Sequence, residues 1–270
     1  MKKLILLLFL LPFWLQAQDT RLMREDARDL MKEGRYTEAI KMYQLLTDIK
    51  ADDYEAFFKM GQAYSELKQD SLALLNYSKA IDLEPENVYY IYYNRAFSYS
   101  NLGDHINAIK DLDTTIKLKS DFADAFNNRG LEREAIGDFK NALSDYTQAI
   151  NNDSTNWIYY FNIGRIYEKT NQSSLAVSFL SIALTAKPDN KEALKLRGTA
   201  LAKMKDFERA EKDFSTYLKL QQDDEDVLLK HGFCLILIGE KIKGCFQLEL
   251  AKEYGNEKAQ SLIDQFCGEE

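Results

Sequence analysis

An all-α array of about seven helix-turn-helix repeats is the fold class that the sequence predicts. Three observations support it. Small residues recur about every 34 residues at Gly61, Ala96, Gly130, Gly164, Gly198 and Gly232. A second small-residue series keeps the same interval at Ala39, Ala73, Ala108, Ala142, Ala176, Ala210 and Gly244. The chain of 270 residues has only three Pro but 16 Tyr and 15 Phe, as expected where large side chains pack between uninterrupted helices. Such an array buries its core as a line of small interfaces, each unit packing on its neighbours. The functional question is therefore which partner it holds.

The first seventeen residues, MKKLILLLFLLPFWLQA, predict a secretory signal peptide: Lys2 and Lys3, an apolar core from Leu4 to Trp14, and Ala17 at the cut. That core is shorter than the roughly 20 residues needed to span a bilayer, so stable membrane insertion is not expected. No Cys follows it, since the only three are Cys234, Cys245 and Cys267. A bacterial lipoprotein would need one there. The expected compartment is the periplasm of a Gram-negative bacterium, with the extracellular space second. The array then occupies 18–258, with repeats at 20–53, 54–87, 89–122, 123–156, 157–190, 191–224 and 225–258. Val88 is one extra residue beside the Pro85-Glu86-Asn87 turn, where an insertion lengthens a loop and leaves the helical faces in register. Residues 259–270 form a C-terminal capping helix and tail: Ala259, Leu262, Ile263 and Phe266 share one helical face and cover the apolar run Phe233 to Ile238.

The filled positions within each unit resemble the tetratricopeptide repeat family, and the resemblance covers nearly all of 18–258. Repeat position 4 is large at Met23, Phe57, Tyr92, Phe126, Tyr160, Leu194 and Leu228. Position 24 is filled by Tyr43, Tyr77, Leu112, Tyr146, Leu180, Phe214 and Leu248, and position 27 is Ala at 80, 149, 183 and 251. Pro85 and Pro188 stand at position 32. Positions 4, 8 and 11 share one face of the first helix, and 20, 24 and 27 one face of the second. Glycine or alanine at 8 and 20 lets the two backbones approach. The resemblance implies a right-handed superhelical solenoid and a scaffold that binds protein. Thr115 and Tyr217 depart from the pattern at position 27, so the packing there must differ. Gly103, Gly137 and Gly239 at position 15 suit a residue that turns the chain at positive φ.

In this family the first helices line a concave face, which implies the candidate site. Asn94, Asn128 and Asn162 occupy position 6 of three consecutive repeats, an amide ladder that could hold a peptide backbone or could bond within its own repeats. Around it lie Tyr90, Tyr93, Phe97, Asn127, Phe161 and Arg165, with Phe58 and Ile158 nearby. Aromatic side chains facing a groove offer contact area at small entropy cost. Some family members hold a C-terminal carboxylate with cations at set positions. Those positions here, counted from repeat 3, are Tyr93, Phe97, Asn128, Ile158 and Asn162, so the groove suits an internal extended peptide or a partner helix. Arg95 and Arg129 at position 7 are expected to pair with neighbouring helices.

Composition narrows the partner. The net charge of −8 opposes phosphate backbones, so nucleic acid is not an expected ligand. The two histidines, His105 in a turn and His231 in the last repeat, stand far apart without a nucleophile motif or a phosphate-binding loop, so catalysis is not expected. No two Cys or His share ligand spacing, and neither a metal nor a cofactor is expected. Cys245 and Cys267 fall at the same level on two antiparallel helices joined at Gly255-Asn256. They form a disulfide, or all three cysteines are buried thiols. Two roles remain: a reversible periplasmic adaptor using the groove, or a fixed subunit or assembly factor of an envelope complex using its outer surface. The outer positions of the second helices read mostly as Lys, Asp, Gln and Ser, which favours the adaptor. Oligomeric state is not encoded legibly.

Overall fold

The structure, a computed structural model, describes residues 20–268 apart from 84, 85 and 87. The expected signal peptide at 1–17, Pro85 and most of the turn beside Val88 lie outside the described residues. The described residues build helices and the turns between them, and the chain divides into two compact units, 1–142 and 143–270. The first unit holds α1 (20–32), α2 (Tyr36–Ile49), α3 (Tyr54–Glu66), α4 (Asp70–Leu83), α5 (Tyr89–Asn101), α6 (His105–Leu118) and α7 (Ala123–Ala135). Helix α8 (Phe139–Asn152) begins in the first unit and ends in the second. The second unit continues with α9 (Trp157–Lys169), α10 (Ser173–Ala186), α11 (Lys191–Lys203), α12 (Phe207–Leu220), α13 (Glu225–Leu237), α14 (Lys241–Glu253) and α15 (Ala259–Phe266). None of the described helices is long and apolar enough to cross a membrane.

Local sequence sets the helix ends. The residue before each first helix is often Asp or Asn, and its side chain accepts from a backbone N–H of the first turn: Asp53 from Ala56, Asn190 from Ala193, Asp224 from Val227. Asp104 and Asp206 do the same before second helices. His105 is therefore the first residue of α6, rather than part of the preceding turn. Position 15 takes positive φ throughout, at Gly103, Gly137 and Gly239 and also at Lys68, Asn171 and Lys205. The turn geometry is kept even where the glycine is absent.

Within each repeat the two helices approach as closely as their side chains allow. A Cβ at Gly61 would lie 2.5 Å from the Tyr77 ring, one at Gly164 2.6 Å from Leu180 Cγ, and one at Gly198 2.8 Å from the Phe214 ring. The last repeat goes further, since both contact positions are glycine. A Cβ at Gly244 would stand 2.7 Å from the Gly232 carbonyl oxygen, so here backbone meets backbone.

Polar clamps fix neighbouring helices in register. Arg95 on α5 donates through Nε and Nη2 to both carboxylate oxygens of Asp111 on α6, at 2.7 and 2.8 Å, and through Nη1 to Ser78 Oγ on α4 at 3.0 Å. Three repeats later Arg197 repeats the arrangement with Asp213 at 2.8 and 2.7 Å and Ser181 at 3.1 Å. Arg129 pairs with Asp113 across to α6 at 2.6 Å. The departures at position 27 have polar explanations. Thr115 Oγ1 donates to a backbone carbonyl of its own helix, that of Asp111, and the Tyr217 hydroxyl donates to Asp224 at 2.6 Å. Lys195 also reaches Asp224, at 2.9 Å.

At the C-terminal end α15 lies on the last repeat. Ala259 is buried with Leu228 and Ala251, and the Phe266 and Phe233 rings meet edge to face at 5.9 Å. Cys245 on α14 and Cys267 after α15 are disulfide-bonded, with Cα atoms 5.7 Å apart. Cys234 is a free, buried thiol, and burial pushes its pKa up to about 11.

Two outcomes follow. Gly244→Ala should lower unfolding stability by about 1–3 kcal/mol in urea titration, because the added methyl would meet the Ile236 side chain at 2.6 Å and the Gly232 carbonyl oxygen at 2.7 Å. Thiol titration should find no reactive Cys in the native protein, one after unfolding without reductant and three after reduction, and the reduced protein should be less stable by about 3 kcal/mol.

Candidate partner-binding groove

Within the first unit the sequence-named residues of α5 and α7 meet in a cleft. Tyr93, Ala96 and Phe97 on α5 face Asn128, Leu131 and Glu132 on α7 around a cavity of about 110 Å³. Phe97 is 54% exposed at its mouth. The polar side chains contributed by α7 are already paired. Asn128 Nδ2 donates to the Tyr93 hydroxyl at 2.9 Å, and Asn128 Oδ1 accepts from Asn127 Nδ2 at 3.2 Å. Glu132 is buried and stands 2.7 Å from His105 Nδ1. Burial holds the Tyr93 hydroxyl above its usual pKa, with Asp124 adding to the effect and the Asn128 hydrogen bond opposing it. What remains open to a ligand is apolar surface, chiefly Phe97.

The aromatic residues beside the cleft are committed to packing. Tyr90 stacks edge-on against Phe58 at 5.0 Å and against Tyr89 at 5.7 Å. Tyr93 packs on Phe122 at 4.8 Å, and Lys119 sits over the Tyr89 and Phe122 rings.

The amide ladder is not an open row of donors and acceptors. Asn94 donates to the Tyr90 carbonyl of its own helix at 2.6 Å. Asn127 is buried, and Asn162 is only 2% exposed. Asn128 turns to the preceding first helix through its bond to Tyr93, so at position 6 the amides of Asn94 and Asn128 already have partners within the protein. In the second unit Phe161 is half-buried against the core and carries the Arg165 guanidinium over its ring at 5.5 Å. The two form a packed pair, and neighbouring Ile158 is the exposed apolar residue there.

Sequence reasoning missed the His105–Glu132 pair, whose members come from different repeats. It also missed how much apolar surface the second helices expose: Leu72 and Leu75 on α4, Ile106 on α6, Leu175 and Ile182 on α10, Ile242 and Phe246 on α14. The mostly polar outer face expected from the sequence is thus corrected. The signal was present in i, i+3 and i, i+4 apolar pairs outside the repeat's core positions.

Comparison with known proteins agrees with this architecture. Two family models, both described as tetratricopeptide repeat, match the chain, one at residues 54–87 and 89–122 and the other at 127–191 and 162–227. Together they cover more than half of it. Tetratricopeptide repeat protein 6 of Homo sapiens is 34% identical over 119 residues, 44% of this chain and 22% of that protein. The chain thus spans less than a quarter of that relative's length. The C-terminal part of a TPR repeat-containing protein from Cytophaga hutchinsonii superposes with a TM-score of 0.74 at 17% identity, covering 88% of this chain and 98% of that one. YrrB, described as a TPR protein with an unusual peptide-binding site, gives 0.62 at 20% identity over 70% and 97% of the two chains. These structural likenesses show a shared fold. The matched models describe a repeat, and no catalytic family is among them.

The division between wall and mouth is measurable by mutation. Tyr93→Phe should lower stability by about 1 kcal/mol by stripping Asn128 of its partner, whereas Phe97→Ser should change it by less than about 0.5 kcal/mol in chemical denaturation.

Proposed function

This chain belongs to the tetratricopeptide repeat family, and on that premise we propose that it is a non-enzymatic scaffold that takes a peptide segment or partner helix in the cleft between α5 and α7. Proteins of this family mediate protein–protein interaction. The observation that carries the finer reading is Phe97, a large apolar side chain 54% exposed beside a cavity of about 110 Å³ whose Tyr93, Asn128 and Glu132 side chains are paired within the protein. A void of roughly 150 Å³ accepts a benzene ring, so this one suits a branched aliphatic side chain of the partner. The ordering cost at the site is small, because its walls are pinned by the Asn128–Tyr93 and Glu132–His105 contacts before any partner arrives. With the Lys-initiated apolar leader, the working location in this reading is the periplasm.

The exposed apolar residues of the second helices favour a second role, a fixed subunit of an envelope assembly. Leu72 with Leu75, and Ile242 with Phe246, are pairs that a permanent interface would cover.

Peptides selected from a random library against the mature chain, measured by fluorescence anisotropy, separate the two. Phe97→Ser should weaken their binding at least about tenfold while circular dichroism is unchanged. Unchanged affinity would place recognition elsewhere. Stoichiometric co-purification of an envelope protein that survives Phe97→Ser would support the fixed-subunit role.

A further inference from the structure

The Arg–Asp–Ser clamp that joins helices in repeats 3 and 6 is dismantled in the last repeat. The residue at the place of Arg95 and Arg197 is His231, the residue at the place of Asp111 and Asp213 is Gln247, and Ser215 corresponds to Ser78 and Ser181. No arginine reaches Ser215 among the described residues. His231, only 7% exposed, turns Nε2 to Glu211 Oε1 at 3.3 Å. Two buried polar atoms are left without a hydrogen-bond partner, His231 Nδ1 and Gln247 Oε1. Both residues, with Ser215, line two adjoining clefts of about 470 and 440 Å³ between α12 and α14, floored by α13. At the rim of the larger cleft stand Ile242, 88% exposed, and Phe246, 61% exposed, one helical turn apart on α14.

We infer that this cleft is a docking site for a partner segment that presents an arginine side chain next to an apolar one. Glu211 is an acceptor, so the His231 ring donates from Nε2, and in the neutral form of the ring Nδ1 carries a lone pair. Gln247 Oε1 and Ser215 Oγ add two further acceptors, and the Glu211 carboxylate supplies negative charge. The set calls for a planar cation with several N–H groups, the group that the chain itself uses against Asp and Ser in repeats 3 and 6. The Gln247 amide oxygen has no hydrogen-bond partner, and Gln247 lines both clefts. The cation on the cleft wall, Lys243, is turned to Glu240 at 3.0 Å, and Lys219 lines the adjoining cleft. Phe246 and Ile242 would be covered by the neighbouring apolar side chain of the partner. This site is separate from the α5–α7 cleft and stands or falls independently of it.

The probe is acetyl-Leu-Arg-Leu-Leu-amide, with norleucine in place of arginine as its control, titrated into the full mature chain. The chain has two histidines, so NMR resolves them readily. The arginine peptide should shift the His231 ring signals and leave those of His105 unmoved, and the norleucine peptide should bind about tenfold more weakly. The double variant H231R/Q247D, which rebuilds the clamp of repeats 3 and 6, should be folded and lose the arginine preference. Gln247→Met, which keeps the side-chain length and removes the acceptor, should lose it too. Equal binding of the two peptides, an undiminished preference in both variants, or no His231 shift up to millimolar peptide overturns the proposal.

Discussion

The close approach of the paired helices at small residues is the constraint on which the rest of the structure depends. Gly61, Gly164, Gly198 and Gly232 leave no room for a methyl group, so the partner helix is held where Tyr77, Leu180, Phe214 or Leu248 fills the remaining space. The consequence reaches the polar groups. At that spacing an arginine at position 7 can engage an aspartate of its own second helix through Nε and Nη2 and a serine of the preceding repeat through Nη1. Wider spacing would leave the same residues as solvated charges. The small residues at the contact, Ala96 in repeat 3 and Gly198 in repeat 6, therefore set the geometry of the ion pairs as well as of the core.

Buried ion pairs of this kind contribute register more securely than stability. Taking Arg95 and Asp111 out of water costs several kcal/mol, which their two-pronged contact offsets only when both carboxylate oxygens are engaged. Hydrogen bonding to Asp111 holds the Arg95 pKa above its usual range although burial pulls it down. A slip of one helix by a residue would strand both charges. Apolar packing alone tolerates such slips better, since Leu and Phe have no preferred partner atom. Repeats 3 and 6 thus act as register locks, one in each compact unit.

The repeat frame was legible because its cause is steric and periodic. The first helices begin at Tyr54, Tyr89, Ala123, Trp157, Lys191 and Glu225, the residues that the 34-residue spacing singles out. Turn geometry was legible only where glycine stood. Lys68, Asn171 and Lys205 adopt the same positive φ because the flanking helices demand it, and residue type hides that demand. The candidate site was less legible still. An Asn in sequence announces a donor and an acceptor, but whether it meets solvent or the neighbouring helix depends on a rotation of a few tens of degrees about the helix axis. Asn162 falls on the inner side of that divide and Phe97 on the outer. The sequence left the cysteines open between a bridge and three thiols. In the structure α15 folds back far enough to join Cys267 to Cys245.

In an array of near-identical units, specificity has to reside where a unit departs from the common pattern. Residues that obey the pattern are fully occupied in holding helices together. The α5–α7 cleft is distinctive because Phe97 puts a large ring where the surrounding polar atoms are already paired. The last repeat is distinctive for the opposite reason, since His231 and Gln247 replace a self-satisfied clamp with atoms that lack partners. One departure offers apolar area and the other offers unmatched polar atoms, so as docking sites the two proposed surfaces would select different side chains. A scaffold whose core spacing is fixed by glycine can change either surface without disturbing the other. This follows from the locality of repeat packing, in which each interface answers only to its neighbours.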